Sequence, residues 1–165
     1  MSLELIEGVA CKVEKNISAR DIVPNTITTS YHNPDSIEPF MYLIPDFLEE
    51  TFHRKLLIAE ENFGYGSSKE LPADILKHSG TRVIIAKSFF TPFYKNAFNL
   101  GLLCIEANTD YIESNDELII DIKQSFIRNK TKRLGIKYKP IKKYFYHLYL
   151  DGGMLNQLNK EINNG

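Results

Sequence analysis

Ser67, Ser68 and Lys69 follow directly on a glycine turn, Gly64-Tyr65-Gly66, in a segment that reads KLLIAEENFGYGSSKE from Lys55 to Glu70. Two hydroxyls and an ammonium group therefore stand where glycine lets the backbone turn sharply and approach a bound group. The pattern predicts a helix from Ser67 to Leu76, whose unpaired first-turn N–H groups and positive dipole end favour a carboxylate or phosphate. A structural use competes with this. Ser67 and Glu70 are spaced as a capping box, in which the serine oxygen takes the third helical N–H and the glutamate reaches back to the serine N–H. Spacing alone favours the cap. Nucleotide loops fit poorly, because Lys69 stands where a dinucleotide fingerprint needs its third glycine and Ser68 stands where a P-loop needs one before its lysine.

The elements that must hold this segment can be read coarsely. Leu56, Leu57, Ile58 and Ala59 form a continuous apolar run, the mark of a strand buried on both faces. Gly8 to Val13 reads as a strand, followed by a loop from Glu14 to Thr29. The stretch from Pro34 to Arg54 contains a helical pattern with Phe47, Leu48 and Phe52 on one face. Val83 to Ala86 and Leu102 to Glu106 read as strands around a helix that stops at Asn99 and Gly101. The aromatic run Tyr144 to Tyr149 suits a packed helix, ended by Gly152 and Gly153 so that a last helix from Met154 can fold back. Such alternation predicts an α/β layered domain. At 165 residues and 43% hydrophobic content, one domain spanning 1–165 can bury a core without disulfides or metals.

Charge is divided unevenly. Residues 1–122 carry 10 Lys/Arg against 19 Asp/Glu, whereas residues 123–165 carry 10 against 2. From Lys123 to Lys143 there are nine basic residues and no acidic one. Such a stretch suits a polyanion, an acidic partner or an acidic substrate, but no nucleic-acid motif accompanies it. The favoured use is a strand pair with lysines along its exposed face and edge, balanced by the acidic body. The two cysteines, Cys11 and Cys104, lie in apolar contexts and read as buried, reduced thiols. His32, His53, His78 and His147 show no metal-ligand spacing, so no metal is expected on this chain by itself. The sequence shows neither a secretory h-region nor a membrane-length apolar run, and a cytoplasmic location is expected.

Asn62-Phe63-Gly64-Tyr65-Gly66-Ser67-Ser68-Lys69-Glu70 resembles the Asn-Phe-Gly-x-Gly-Ser-Ser-Arg-Glu signature of the small, swivelling subunits of isopropylmalate isomerase and its aconitase-family relatives. The resemblance continues through Thr81 to Phe89, Phe93 to Asn96 and Asn99 to Leu102. Upstream it includes Asn16-Ile17 and Asp21-Ile22-Val23-Pro24, and near the end Tyr149 to Asn156. It implies the swivelling β/β/α fold, and a subunit of a hydro-lyase that removes and re-adds water across adjacent carbons of a hydroxy acid in leucine biosynthesis. It also implies Ser67 as the base, with Ser68, Lys69 and Gly66 at the substrate; Arg20 has two readings of equal weight, a substrate contact supplying the fork that Lys69 lacks or a solvated surface charge. An iron–sulfur cluster of the [4Fe–4S] kind would act as Lewis acid. Such a cluster needs three or four thiolates, so it must sit on a separate large subunit, as heterodimer or heterotetramer.

The departures from that signature define the alternatives. Ser18, Ala19 and Arg20 replace an Asp-Thr-Asp triplet, exchanging an active-site negative charge for a positive one. Lys69 replaces an arginine and cannot offer its planar fork. Leu71 stands where a histidine is common, and the loop that selects the substrate tail, with Ile27, Thr28 and Thr29, carries no arginine. A paralogue acting on another hydroxy acid, in the manner of homoaconitase, is one alternative. A non-catalytic swivel domain binding an anion or RNA is the other.

Overall fold

The computed structural model describes residues 4–13, 15–23 and 55–164. In chain order these form β1 (Leu5–Lys12), α1 (Ala19–Ile22), β2 (Lys55–Ala59), α2 (Leu71–His78), β3 (Val83–Ala86) and α3 (Thr91–Asn99). There follow β4 (Leu103–Glu106), β5 (Glu117–Asp121), β6 (Phe126–Asn129), β7 (Leu134–Lys137), α4 (Lys143–Asp151) and α5 (Met154–Asn164). The strands make one mixed sheet in the order β4-β3-β2-β1-β5-β6-β7.

β1 divides the sheet into two regimes. On one side β1, β2, β3 and β4 run parallel, with Cys11 opposite Leu57, Ile58 opposite Ile85 and Ile84 opposite Cys104. Parallel strands need crossovers, and α2 and α3 supply them by packing on the sheet. Leu56–Ala59, Val83–Ala86 and Leu103–Ile105 are accordingly all buried. On the other side β1, β5, β6 and β7 are antiparallel and alternate, with Leu118, Ile120, Ile127 and Ile136 inward. The predicted strands at 8–13, 56–59, 83–86 and 102–106 are all present, shifted by up to three residues at their ends. The expected helical stretch within 34–54 lies outside the described residues.

Three sequence expectations change in the structure. The predicted helix at Ser67 begins instead at Leu71. Proline suits the first turn of a helix, but a start at Ser67 would place Pro72 in the interior, where its ring meets the carbonyl of residue 68 and its missing N–H leaves that carbonyl unbonded. The Ser68 carbonyl accepts instead from Asn96 Nδ2 of α3 at 3.1 Å. The expected Ser67–Glu70 capping box is therefore absent, and Glu70 occupies the N-cap position of α2 without a side-chain cap. Cys104 is buried as expected, whereas Cys11 is only partly so.

The basic stretch is paired to the acidic body. Lys130 Nζ meets Glu117 at 3.1 Å, and Lys132 Nζ meets Glu113 at 3.1 Å and the buried Asp116 at 3.7 Å. Asn129 Nδ2 also donates to Asp116 Oδ2 at 2.7 Å. The charge asymmetry of the sequence is thus partly an internal arrangement of the β5–β7 meander. No helix among the described residues is long and apolar enough to cross a membrane.

The closing glycine pair does more than end α4. Gly152 caps that helix in the left-handed conformation with φ 76°, and its N–H reaches the Tyr149 carbonyl. A Cβ on Gly101 would fall 2.7 Å from the Gly152 carbonyl carbon, and one on Gly153 would fall 2.6 Å from the Asn99 oxygen. Two glycine turns therefore press backbone to backbone, which sets α4 and α5 against the end of α3. Gly153→Ala is expected to cost about 2 kcal/mol or more, combining a side chain at φ 106° with a backbone clash. Urea denaturation checks this, and an unchanged midpoint would show that the two turns can separate freely.

Candidate active site

The site is built at the carboxyl ends of the parallel strands, where ligands bind in open α/β sheets. After β2 the chain turns through Asn62 at φ 54°, Gly64 at φ 81° and Gly66 at φ 93°. The two glycines serve different needs. A Cβ on Gly64 would lie 2.3 Å from the Phe93 ring, so bare backbone is required against α3; Gly66 has open space around it and needs only its conformation. The underlying surface is rigid. Phe63 is buried at 1% exposure and meets Phe93 edge-on at 5.1 Å and Phe89 at 6.0 Å. Such pairs contribute about 0.5–1.5 kcal/mol each beyond their burial.

Backbone hydrogen bonds hold the turn from both sides. Toward β3, Phe63 N–H donates to Ser88 O, Phe90 N–H donates to Phe63 O, and Asn62 N–H donates to Ser88 Oγ at 2.8 Å. Toward α1, Gly64 N–H donates to Ile17 O at 2.8 Å, and Ala19 N–H donates to Tyr65 O at 2.7 Å. Asn16 Oδ1 accepts from Glu61 N–H at 3.2 Å. Residues separated by more than forty positions are thereby sewn together, which puts α1 beside the serines. Just past the end of β3, Lys87 bridges Glu60 at 2.5 Å and Asp110 at 2.6 Å; its hydrogen bonds to Asp110 and Glu60 push its pKa above the usual lysine value.

A cleft of about 260 Å³ opens between α1, the glycine turn and the start of α2. Arg20, Gly66, Ser67 and Lys69 line it together, and Ala19, Val23, Leu71 and Pro72 add an apolar wall. Four of the five residues predicted to form the base and substrate contacts thus converge. Ser68 is exposed but is not among the lining residues, its carbonyl being tied to α3. Ile27, Thr28 and Thr29 lie outside the described residues. Ser67 Oγ accepts the Lys69 N–H at 3.2 Å. The hydroxyl that was weighed as a helix cap is therefore turned toward a backbone donor within its own loop. The cleft lining carries two cationic side chains and no carboxylate among the described residues.

The capping box is found one element away. Ser18 Oγ accepts the Asp21 N–H at 3.2 Å, and Asp21 Oδ2 accepts both Ser18 N–H and Ser18 Oγ–H at 2.8 Å. Lys15 Nζ adds an ion pair to Asp21 at 3.0 Å. Ser18, which stands where the family signature has an acid, is the cap of the helix that carries Arg20. The signal was in the sequence, as Ser-x-x-Asp before an apolar pair. The apolar wall was less legible, because Val23 and Pro72 join the site only through the fold.

Burial alone would push the Asp21 carboxyl up, but the hydrogen bonds from Ser18 and the Lys15 charge outweigh it and hold the group below the ordinary 3.8. A depressed folded-state pKa means a contribution that is complete above the unfolded value and is lost as pH falls through the folded one. Asp21→Asn is therefore expected to cost about 1 kcal/mol at neutral pH. The difference from the parent should stay constant down to about pH 4 and close below it. Denaturation midpoints measured across that range check this, and a pH-independent difference would remove the carboxylate from the argument.

Cys11 on β1 and Cys104 on β4 belong to strands three places apart in the sheet, roughly 14 Å at ordinary strand spacing. Among the described residues no group of three or more His, Cys, Asp or Glu is placed to hold a metal ion. A family model for the aconitase C-terminal domain matches residues 6–110. The chain is 34% identical to 3-isopropylmalate dehydratase small subunit 1 of Thermotoga maritima, over 94% of this chain and 96% of the relative. It is 33% identical to the methanogen homoaconitase small subunit of Methanothermobacter thermautotrophicus, over 98% and 95%. Among solved structures, 3-isopropylmalate dehydratase of Methanocaldococcus jannaschii superposes with a TM-score of 0.86 at 33% identity, covering 95% of both chains.

Proposed function

This chain belongs to the aconitase C-terminal domain family, and from that membership and the cleft geometry we propose that it is the small subunit of a 3-isopropylmalate dehydratase. The observation that carries the proposal is the meeting of Ser67, Lys69 and Arg20 with the apolar wall of Val23, Leu71 and Pro72 in one small cleft. Cations matched to carboxylates beside a patch matched to an alkyl branch describe a branched hydroxy diacid. The volume, below the usual range for drug-sized ligands, agrees with a ligand of that size.

Ser67 is the proposed base that takes the proton from carbon beside a carboxylate. A serine alkoxide is costly, and its cost falls when oriented donors and positive charge surround the oxygen. The Lys69 N–H already donates to Ser67 Oγ, and the Lys69 ammonium and Arg20 guanidinium line the same cleft. Arg20 supplies the planar two-point fork that a lysine at position 69 does not. Gly66, without a side chain, leaves backbone open to the substrate.

The residues of this chain do not fit a cluster, having two cysteines on distant strands. The [4Fe–4S] group expected of the family is therefore assigned to the large subunit, where it would supply Lewis acidity toward the departing hydroxyl. The partner also closes a cleft that is open here, as heterodimer or heterotetramer.

With the large subunit assembled anaerobically, Ser67→Ala is expected to lower isopropylmalate turnover at least a hundredfold while leaving assembly intact, the ordinary scale of general-base catalysis. Unchanged turnover would remove Ser67 as the base. Arg20→Ala is expected to raise KM about ten- to a hundredfold, by loss of charge-assisted hydrogen bonds. An unchanged KM would leave Arg20 as a solvated charge. The 33% identity to a homoaconitase small subunit supports a second reading, a longer tricarboxylic substrate. Serine-dependent turnover of homocitrate in preference to isopropylmalate would establish it.

A further inference from the structure

A second cavity, of about 220 Å³, lies on the other side of α3 from the glycine turn and has no part in the catalytic proposal. Its walls are Phe89, Tyr94, Ile141 and Phe145, an apolar and aromatic lining. Tyr94 meets Phe145 edge-on at 5.1 Å and Phe89 at 5.5 Å, so the walls support one another. Lys95, Lys139 and Lys142 line the same cavity and are exposed. None of the three enters an ion pair among the described residues, unlike Lys130 and Lys132 of the β5–β7 meander.

The lining also carries the opposite sign. Beside the fully buried Cys104, the half-buried Glu106 lines the cavity without an ion-pair partner among the described residues. Burial first, and then the Glu106 charge, push the Cys104 thiol upward, and burial with the Glu106 charge does the same to the Tyr94 phenol. A ligand in this cavity meets three exposed ammonium groups, aromatic rings and one carboxylate, that of Glu106. An anionic head on the lysines and an apolar body on the rings satisfy that lining; a second carboxylate would meet Glu106. Thr91, in the first turn of α3, and Lys142, the N-cap of α4, also line the cavity, and neither helix start has a side-chain cap.

We propose that this cavity binds a small monocarboxylate with a branched or aromatic body, and that binding is felt at the catalytic loop through α3. The connection is short. Phe89 of the cavity stacks on Phe93 with centroids 6.4 Å apart, and Phe93 is the ring against which Gly64 packs. Asn96, one residue beyond Lys95, holds the Ser68 carbonyl. The catalytic loop and the cavity therefore share one nine-residue helix as their common wall. Binding stands independently of the catalytic assignment, because it can be read on the chain alone.

The test is isothermal titration of the full chain with 4-methylpentanoate and phenylacetate, with 4-methylpentanamide and 3-methylglutarate as controls. The two monocarboxylates are expected to saturate. The amide and the diacid are expected to bind at least about tenfold more weakly, the scale of one charge-assisted hydrogen bond lost. The Lys139→Ala, Lys142→Ala double variant should lose affinity for the monocarboxylates by a similar factor, and Glu106→Gln should bring the diacid up toward them. Lys69→Ala, in the other cleft, should leave the affinity of the monocarboxylates for this cavity unchanged. Equal binding of acid and amide, absence of saturation, or a parallel loss in Lys69→Ala would each overturn the proposal, the last by placing the acid in the catalytic cleft. Circular dichroism of each variant establishes that it is folded. Amide shifts at Gly66 and Ser68 on addition of phenylacetate read the coupling, and their absence would overturn that part.

Discussion

The contact between the Gly64 backbone and the Phe93 ring is the constraint on which the rest of the site depends. A strand end, a helix and a turn meet there without room for a methyl group, and the left-handed angle at Gly64 sends the chain back over α3. Once the turn is pressed onto that ring, its outward-facing amides and carbonyls are spent on Ile17, Ala19, Ser88 and Phe90. The serines that follow have no freedom to join a helix, because Pro72 fixes where α2 starts. Ser67 is thereby left in a short non-helical segment with its hydroxyl free for chemistry and one backbone donor already upon it. Close packing and proline geometry, rather than any property of serine, make it a candidate base.

The electrostatics of the cleft follow from a local exchange rather than a simple loss. A negative charge that the family resemblance places at position 20 is absent, yet Asp21 stands beside it and is fully engaged by Ser18 and Lys15. The carboxylate here stabilises a four-residue helix instead of facing ligand. Arg20, on the preceding position of that helix, faces the cleft, where it joins Lys69. Two cations with no carboxylate beside them among the described lining residues raise affinity for carboxylates and lower the cost of an anionic serine together. In the proposed site, substrate capture and base activation would therefore draw on the same charges. The corresponding arginine of the family signature is divided here between a lysine in the loop and a guanidinium from α1.

Most of the fold was legible from residue pattern, and the reasons are specific. Leu56–Ala59 and Val83–Ala86 announce two-faced burial because parallel strands cannot tolerate polar residues on either side. Gly101, Gly152 and Gly153 announced helix ends, but not that the two turns touch, since backbone contact across fifty residues leaves no local trace. The order of strands had the same difficulty. At the site, Arg20 and Ser67 were legible as chemistry through resemblance, whereas spacing alone favoured a cap at Ser67. That preference fails because a capping box is a claim about where a helix begins, and Pro72 moves the start to Leu71. The same spacing does form a capping box at Ser18 and Asp21, where no proline intervenes.

On the proposed reading, the cleft as it stands is half of an active site in a physical sense. Removing a proton from carbon with serine needs an environment in which charges are poorly screened, since a cation near a developing anion is worth several times more in a dry site than in water. Arg20 and Lys69 are exposed, and water can reach both. Their charge in the isolated chain is therefore better suited to drawing a diacid toward the cleft than to stabilising an alkoxide within it. Covering the cleft with a second protein surface converts the first use into the second, by expelling water from around fixed donors that need not move. The hydrogen bonds that clamp α1 to the glycine turn acquire their purpose in that step. They hold Arg20 and Ser67 in one rigid unit, so that closure costs the docking of a preformed surface and not the ordering of a loop.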